Sequence, residues 1–319
     1  MPRTSERLSS IALPHRNWQI CSLTLLLLFS LLLTSVVRAQ CPTGPISYIF
    51  IDNHSIFDTA DPSLNSKFGW AYRTANSLHV RTKRVVIERE LLFNPGDCYD
   101  PFLLQETERL LRAYDFLAQV DVFGIPQPDG SYHVVVDTRD QWSTSLDLRI
   151  GFDRGFYIDG MRLRETNLLG RGQEIAFSYR NREVTRDYGV TFGTRQFGGT
   201  RWDLRTAFGK TRAGSFVDQT VTYPFVGEVG RYAARQSFTR EDQFFDYIFD
   251  TPDQPSQHIL VPVRQKTFDV GIGGRLGHRG NLTVIGAMLT YQELTFPGQP
   301  ELADQGDFDE RVPVDSALQ

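Results

Sequence analysis

Residues 165–181 read "ETNLLGRGQEIAFSYRN", a turn with two glycines followed by a run in which every second residue is apolar. The apolar side chains of this run are Ile175, Phe177 and Tyr179. Because successive side chains of a β-strand point to opposite faces, the run predicts a strand with one apolar and one polar face. Gly170 and Gly172 permit positive φ angles, so they predict a tight reversal just before the strand.

The same alternation recurs through the second half of the chain, in "SLDLRIG" (145–151), "RWDLRTAFGK" (201–210) and "TFDVGIGGRLG" (267–277). It predicts that Phe177, Leu204 and Ile272 lie on the face opposite to Arg180, Arg205 and Arg275. The stretch at 240–258, "REDQFFDYIFDTPDQPSQH", is expected to be a long polar connection. A soluble antiparallel sandwich alternates in the same way. Strands of about 9–11 residues without intervening helices favour a membrane-spanning β-barrel.

Upstream, residues 46–137 have a mixed α/β pattern in the order strand, helix, helix, strand, strand. "ISYIFID" (46–52) predicts the first strand, and "RVVIERELLF" (84–93) predicts the first helix. Asp100 is a good N-cap with Pro101 at the first helical position, and a leucine stripe follows in "DPFLLQETERLLRAYDFL". "AQVDVFGI" and "SYHVVVDT" predict two strands joined by "PQPDG". We expect one domain over residues 40–137 and strands over 138–319.

The N-terminus has the pattern of a secretory signal peptide over residues 1–39. Arginines precede the apolar run "ICSLTLLLLFSLLLTSVV", and small residues precede a cleavage site near Ala39. An uncleaved membrane anchor is the alternative, because the run is close to the ~18 residues that a spanning helix needs. Export would leave Cys41 and Cys98 in an oxidising compartment. They form either a disulfide or two free thiols, since sequence separation does not give their Cα distance.

Composition and motifs indicate no catalytic, cofactor or metal site. The net charge is −4, so nothing indicates a nucleic-acid partner. The six histidines lack metal-ligand spacing and the cysteines form no CxxC pair. A secreted enzyme with a β-sandwich fold is an alternative, although the sequence shows no active site for it.

Two stretches together resemble a known family. "VIERELLFNPGDCYDPFLLQETERLLRAYDFLAQVDV" (86–122) resembles a POTRA (polypeptide-transport-associated) domain. "GMRLRETNLLGRGQEIAFSYRNREVTRDYGVTFGTRQFGGTRWDLRTAFG" (160–209) is similar to the start of the outer-membrane barrel of the BamA/TamA type. The resemblance implies an α+β POTRA domain followed by an antiparallel transmembrane β-barrel in the outer membrane, with the first domain in the periplasm.

The resemblance also implies roles for particular residues. The periplasmic turn between the second and third barrel strands corresponds to Asn167, Leu168, Leu169, Gly170 and Gly172. The first barrel strand, which borders a seam that opens sideways, corresponds to Ser145, Leu146, Leu148, Ile150 and Gly151.

The implied function is insertion of outer-membrane proteins or translocation of polypeptides. The implied partners are the outer-membrane lipid bilayer, unfolded outer-membrane protein clients and accessory periplasmic or lipoprotein subunits. A passive pore with an N-terminal periplasmic domain is the alternative. Residues 138–319 suffice for about eight to ten strands, fewer than the family's sixteen, so the sequence is expected to be a truncated barrel.

Overall fold

The computed structural model describes residues 41–57, 69–152, 157–181, 186–251, 254–303 and 311–313. The predicted signal peptide, residues 1–39, lies outside these ranges. Within them, no helix is both long and apolar enough to cross a membrane.

The first part of the described chain is an α+β unit built on a three-stranded sheet. Its elements are β1 (Ile46–His54), α1 (Gly69–Leu78), α2 (Arg84–Glu88), α3 (Pro101–Leu111), β2 (Leu117–Pro126) and β3 (Tyr132–Asp140). The sheet order is β1-β3-β2, with β1 parallel and β2 antiparallel to β3. The inner face of the sheet packs with the helices around a core that includes Ile87, Phe93, Leu111, Val134 and Val136.

Helix α3 confirms the sequence prediction for its start and its buried face. The Asp100 side chain accepts a hydrogen bond from the Phe102 backbone N–H at 3.0 Å, and Pro101 begins the helix. Leu104 and Leu111 are buried. Capping and an apolar stripe are both local signals, so they can be read from sequence.

Two other helices differ from the prediction. The helix Gly69–Leu78 was not predicted, and it buries only Gly69, so it has no apolar stripe to detect. The predicted helix at 84–93 is shorter, because α2 ends at Glu88 and the chain then turns. The observed order is therefore strand, helix, helix, helix, strand, strand.

The second part is an antiparallel sheet of eleven strands within the described residues. These are β4 (Thr144–Gly151), β5 (Tyr157–Glu165), β6 (Gln173–Asn181), β7 (Arg186–Phe197), β8 (Trp202–Thr211), β9 (Gly214–Tyr223), β10 (Tyr232–Thr251), β11 (Gln254–His278), β12 (Asn281–Thr295), β13 (Glu301–Ala303) and β14 (Arg311–Pro313). Strands β4 to β12 pair in chain order, and β11 also pairs with β13 near its start. Between described residues, no pairing joins β4 to β12.

The prediction of a long polar connection at residues 240–258 is wrong. Strands β10 and β11 instead continue through most of it as a hairpin, paired from Glu241 with Gln265 to Thr251 with Gln254. Aromatic residues enriched in strands interleave with the acidic ones there, so polarity alone was a poor guide.

Strand pairing separates the large sheet into two faces. Directly paired residues share a face. One row across β4 to β9 contains Leu146, Leu163, Phe177, Val190, Phe208 and Val217. The adjacent row contains Ser145, Arg164, Ala176, Thr191, Ala207 and Asp218. We call these the apolar face and the polar face. As the sequence predicted, the apolar face contains Phe177, Leu204 and Ile272, and the polar face contains Arg180, Arg205 and Arg275.

Candidate functional site

The α+β unit contacts one end of the large sheet through a set of turns. In a meander of antiparallel strands, every second turn lies at the same end. The turns after β5, β7, β9 and β11 all reach the α+β unit, through contacts with α2, α3 and the segments that flank them. We call this contact surface the junction.

The turn after β5 contains the residues predicted as a periplasmic turn. Asn167 Nδ2 donates to Thr82 Oγ1 at 2.8 Å, and Asn167 Oδ1 accepts from the Gly172 backbone N–H at 2.8 Å. The Lys83 backbone N–H donates to the Gly170 carbonyl at 2.8 Å. Gly170 has φ +70°, and a Cβ there would collide with the Arg81 carbonyl oxygen, just before α2. Glycine is therefore required by close approach as well as by conformation.

Leu168 and Leu169, predicted as part of the same turn, lie in a short 3-10 turn. Leu169 adopts φ 54°, and a positive φ is uncommon for a residue with a Cβ. Its side chain is exposed.

A buried aspartate supports the segment that receives this turn. Asp140 Oδ2 accepts from the Thr82 backbone N–H at 2.7 Å and lies 2.8 Å from His79 Nε2. The His79 and Asp140 side chains are almost completely buried. The end of β3 thereby fixes the Thr82 side chain that Asn167 contacts.

The end of β7, just before the turn that follows it, inserts a buried amide between α2 and α3. Gln196 Nε2 donates to the Val86 carbonyl at 2.9 Å and to Glu90 Oε1 at 2.8 Å. The Tyr114 hydroxyl also donates to Glu90 Oε1, at 2.5 Å. Burial raises the pKa of Tyr114, and the Glu90 charge adds to the effect. The phenol stays protonated and remains a donor.

The turn after β9 contacts α3 through a carboxylate. Glu106 Oε2 accepts from the Glu228 backbone N–H at 2.6 Å, and Arg109 donates to both oxygens of Glu106, at 3.0 and 2.9 Å. The Arg109 hydrogen bonds lower the pKa of Glu106; burial opposes them, and the Glu228 N–H adds to the lowering.

The turn after β11 contacts the start of the same helix. Arg279 Nη2 donates to Asp100 Oδ2 at 2.6 Å, and its guanidinium lies 3.9 Å from the centroid of the Phe102 ring. The Arg279 hydrogen bond lowers the pKa of Asp100. A residue predicted only as a helix cap therefore also joins the two parts of the molecule.

The polar face encloses space beyond the junction. A cavity of about 660 Å³ is lined by residues of β4 to β10, which means that the sheet curves around its polar face. A second cavity of about 530 Å³ lies between that face and the end of α3. At its wall, Arg164 Nη2 donates to Asp115 Oδ2 at 3.2 Å and to Glu174 Oε2 at 3.0 Å. Arg162 and Arg205 also lie within 4 Å of Glu174, so cations outnumber carboxylates there.

The residues predicted as the first barrel strand lie in β4, at one edge of the large sheet. They are Ser145, Leu146, Leu148, Ile150 and Gly151. The leucines and the isoleucine are 57%, 49% and 44% exposed. Thr144, at the start of the strand, donates to Glu165 at the end of β5, so this end of β4 lies beside the predicted turn.

The remaining candidate groups are the two cysteines and the side chains of types that could bind a metal. Cys41 and Cys98 are both disulfide-bonded. In the ranges that the structure describes, no three His, Cys, Asp or Glu residues are grouped to hold a metal ion.

Sequence reasoning located the glycine turn but missed most of the junction. Gln196, Glu106, Asp140 and Arg279 have no local signal, because each acts through a contact with a residue distant in the chain. For Asp100, the sequence predicted the helix cap but not the contact with Arg279.

No protein-family model and no curated protein sequence matches the chain. Many solved structures are similar to it at low sequence identity, and three of them follow. BamA from Haemophilus ducreyi lacking POTRA domains 1–3 has a TM-score of 0.40 at 8% identity, covering 76% of this chain and 55% of that one. CdiB from Acinetobacter baumannii has a TM-score of 0.39 at 10% identity, covering 82% and 48%. CdiB from Escherichia coli has a TM-score of 0.34 at 10% identity, covering 89% and 68%.

The chain thus spans about half the length of the first two similar structures.

Proposed function

We propose that this chain is part of an outer-membrane factor that inserts or translocates polypeptides. The large sheet is then part of a transmembrane β-barrel, and the α+β unit is a periplasmic POTRA-like domain. The observation that carries the proposal is the exposed apolar face of the large sheet, joined at one end to a folded α+β unit.

The apolar face is the reason to place the large sheet in a bilayer. Leu146, Phe177 and Phe208 are each about half exposed although they lie in one cross-strand row. Further exposed apolar side chains on β11 and β12 extend the same face, among them Phe268, Ile272, Leu289 and Tyr291. Soluble monomers rarely expose an apolar patch of this extent. Acyl chains would cover it, while the polar face lines an aqueous interior.

Client handling is proposed for the edge of the small sheet. An extended client adds a strand to an open edge through main-chain hydrogen bonds. The edge formed by β2 is partly occupied, because Glu108 accepts from the Val122 N–H and Arg112 donates to the Val120 carbonyl. On β1, the described side-chain bond to the backbone between Tyr48 and Asp52 comes from inside the sheet, where Thr138 Oγ1 on β3 donates to the Asp52 carbonyl at 3.4 Å. We therefore assign client pairing to β1.

Reconstitution tests the proposed insertion activity. The full chain is placed in lipid vesicles, and a urea-unfolded outer-membrane β-barrel protein is added as the client. The client should acquire heat-modifiable gel migration faster in these vesicles than in empty ones. Equal rates would overturn the proposal.

A crosslinking variant locates the client. A photoreactive residue replaces Ser47 on β1 or, as the matched control, Gln119 on β2, both of which are exposed. Crosslinks to the client should form from position 47 and be much weaker from position 119. The reverse pattern would contradict the assignment to β1.

A passive pore is the second candidate, because the polar face already encloses about 660 Å³. Planar-bilayer conductance distinguishes the two. A steady open conductance without acceleration of client folding would favour the pore.

The proposed location follows from the same reading. Residues 1–39 direct export, residues 40–137 fold in the periplasm, and residues 138–319 enter the outer membrane. Accessory periplasmic or lipoprotein subunits are proposed as partners of the inserted protein. Fractionation should place the full chain with the outer membrane. A fragment of residues 40–140 should be soluble and melt cooperatively with helical circular dichroism, and an unfolded fragment would count against the boundary.

We also propose that Cys41 pairs with Cys98. The backbone at Cys98 forms an antiparallel bridge with Pro45, shortly after Cys41 in the chain. Peptide mapping of the exported protein without reductant should give one linked peptide containing both cysteines. Separate peptides with alkylated cysteines would contradict the pairing.

A further inference from the structure

The outer face of the small sheet, the one turned away from the helices, carries an exposed apolar patch. One row across the three strands contains Phe50, Val135 and Phe123, and the next contains Tyr48, His133 and Ile125. The four largest apolar side chains in these rows, Tyr48, Phe50, Phe123 and Ile125, are 44% to 50% exposed. A sheet with one face on the core ordinarily presents polar side chains on the other.

The aromatic members of this patch already contact one another. The ring centroids of Tyr48 and Phe50 are 4.4 Å apart, and Phe50 lies 5.6 Å from His133. Rings held in a cluster lose little further conformational freedom on binding, which favours them as contact residues. A contiguous exposed patch of this kind marks an interaction surface.

A row of carboxylates borders the patch. Asp52, Asp137 and Asp121 lie directly opposite one another on the three strands, on the same face as Phe50. Like charges opposite each other across a sheet are destabilising. His54 Nε2 lies 3.1 Å from Asp137, and Gln119 donates to Asp121 at 2.7 Å, which offsets the repulsion in part.

The row beyond the carboxylates adds one opposing charge. It contains His54, Arg139 and Gln119. From the neighbouring helix end, Arg112 Nη2 also lies 3.7 Å from Asp121. Three carboxylates therefore face two guanidinium groups when His54 is neutral, and the border of the patch keeps a net negative charge. A ligand that brought cations to this row would relieve the repulsion among the carboxylates.

We propose that this outer face binds a polypeptide segment of a second protein that carries apolar side chains next to lysines or arginines. The apolar side chains cover Tyr48, Phe50 and Phe123, and the cations contact the carboxylate row. A second copy of this chain is disfavoured because two acidic borders would repel. An anionic lipid surface is disfavoured for the same reason. This surface uses side chains on the sheet face and is independent of the proposed client pairing at the β1 edge.

The test measures peptide binding to the full chain in detergent. The probe is a fluorescein-labelled short peptide of alternating leucine and lysine, with an alternating leucine and glutamate peptide as its counterpart. Anisotropy is followed at mildly alkaline pH, where histidine is neutral. The lysine peptide should bind about tenfold or more tightly than the glutamate peptide.

Two variants of the face separate its apolar and charged parts. Phe50→Ser with Phe123→Ser should weaken binding of the lysine peptide about tenfold, and Asp52→Asn with Asp137→Asn should weaken it by a smaller factor. The charge control is Glu88→Gln with Glu228→Gln, which removes two exposed carboxylates elsewhere and should leave affinity unchanged. If the phenylalanine variant unfolds, the affinity of the asparagine variant for the lysine peptide still tests the proposal.

Three results would overturn the proposal. They are equal binding of both peptides, equal loss in the glutamine control, and affinity unchanged in both face variants. Concentration-dependent dimerisation abolished by Phe50→Ser would also overturn it, in favour of a second copy. Client pairing at the β1 edge depends on backbone bonds and would not discriminate between the two peptides, so its success or failure leaves this result interpretable.

Discussion

The small sheet (β1 to β3) and the large sheet (β4 to β14) alternate apolar and polar residues with the same period, but their inner and outer faces have different surroundings. In the small sheet Val134 and Val136 are fully buried against helices. In the large sheet Phe177 and Ile272, which also lie on an apolar face, are 48% and 67% exposed. Alternation therefore specifies that a strand has two faces, whereas the neighbouring elements decide what covers each face.

At the junction, the helix-covered small sheet is joined to the large sheet with its exposed apolar face. At one end of the large sheet, the Gln196 side chain at the end of β7 bonds to α2, and Glu106 of α3 accepts a hydrogen bond from the turn after β9. Those contacts are polar and mostly buried, unlike the apolar packing within the α+β unit. The two parts thus differ in what stabilises them, and variants matched between them should have different effects.

The largest expected difference is between two phenylalanine truncations. Phe93→Ala removes a ring that is 1% exposed in the core of the α+β unit, and it should lower the free energy of unfolding by about 3–5 kcal/mol. Phe177→Ala, on the apolar face of the large sheet, should cost about 1 kcal/mol or less, because little protein packs against that ring. Denaturant unfolding in one detergent, followed by circular dichroism, gives both values. Similar losses would mean that the apolar face is covered by protein.

The next prediction compares two adjacent residues on opposite faces of β8. Phe208→Arg places a cation on the apolar face, and if the large sheet spans a bilayer as proposed, the change should destabilise the inserted protein by about 2–4 kcal/mol near the midplane. Ala207→Arg places the same cation on the polar face, directly opposite Asp218 on β9, and should be nearly neutral.

Folding titrations in vesicles measure both arginine variants. Spin labels at positions 207 and 208 provide an independent check, since only position 207 should be accessible to a water-soluble relaxant. Equal accessibility at the two positions would rule out the assignment of faces.

Sequence could predict what is encoded locally. The alternation around Phe177 predicted the strand β6, and Asp100 with the leucines after it predicted α3. Helix α1 was missed because it buries almost nothing, and the hairpin of β10 and β11 was missed because its strand-forming residues are interleaved with acids. In the hairpin, the extent of each strand depends on its pairing partner rather than on its own pattern.

The candidate site was less predictable than the fold. Gly170 and Gly172 were identified as a turn, but nothing near them in sequence indicates that Thr82 and Lys83 would receive it. Gln196 has the appearance of an ordinary polar residue near a turn until its three-dimensional neighbours are known. Contacts between residues that are far apart in the chain are absent from any local pattern, which is why the junction could not be predicted.

The third prediction tests how firmly the junction joins the two sheets. Gln196→Ala removes hydrogen bonds to the Val86 carbonyl and to Glu90 inside a buried cluster, so it should cost about 1–3 kcal/mol. Thr200→Ala, in the turn that follows β7, is the control, because the Thr200 hydroxyl bonds only to nearby backbone. It should cost about 0.5 kcal/mol or less.

Hydrogen exchange locates the effect of these two variants. Gln196→Ala should raise the exchange rates of α2 amides, and Thr200→Ala should not. Unchanged exchange in α2 would show that the amide contributes nothing to the joint.

The smallest expected effect is a pH-dependent one at Glu106. Arg109 and the Glu228 N–H hold the pKa of this carboxyl below its usual range, so the folded state binds the proton more weakly than the unfolded state does. The stabilisation is therefore fully present above the unfolded pKa of about 4.3 and is lost as the pH falls through the lower folded value. Because Arg109 is largely exposed and the pair is screened, Glu106→Gln should cost only about 1 kcal/mol at neutral pH. The gap between wild type and variant should be constant near neutrality and close on acidification, as measured by urea midpoints across that range. A gap that widens in acid would mean that burial, rather than the hydrogen bonds of Glu106, dominates at the junction.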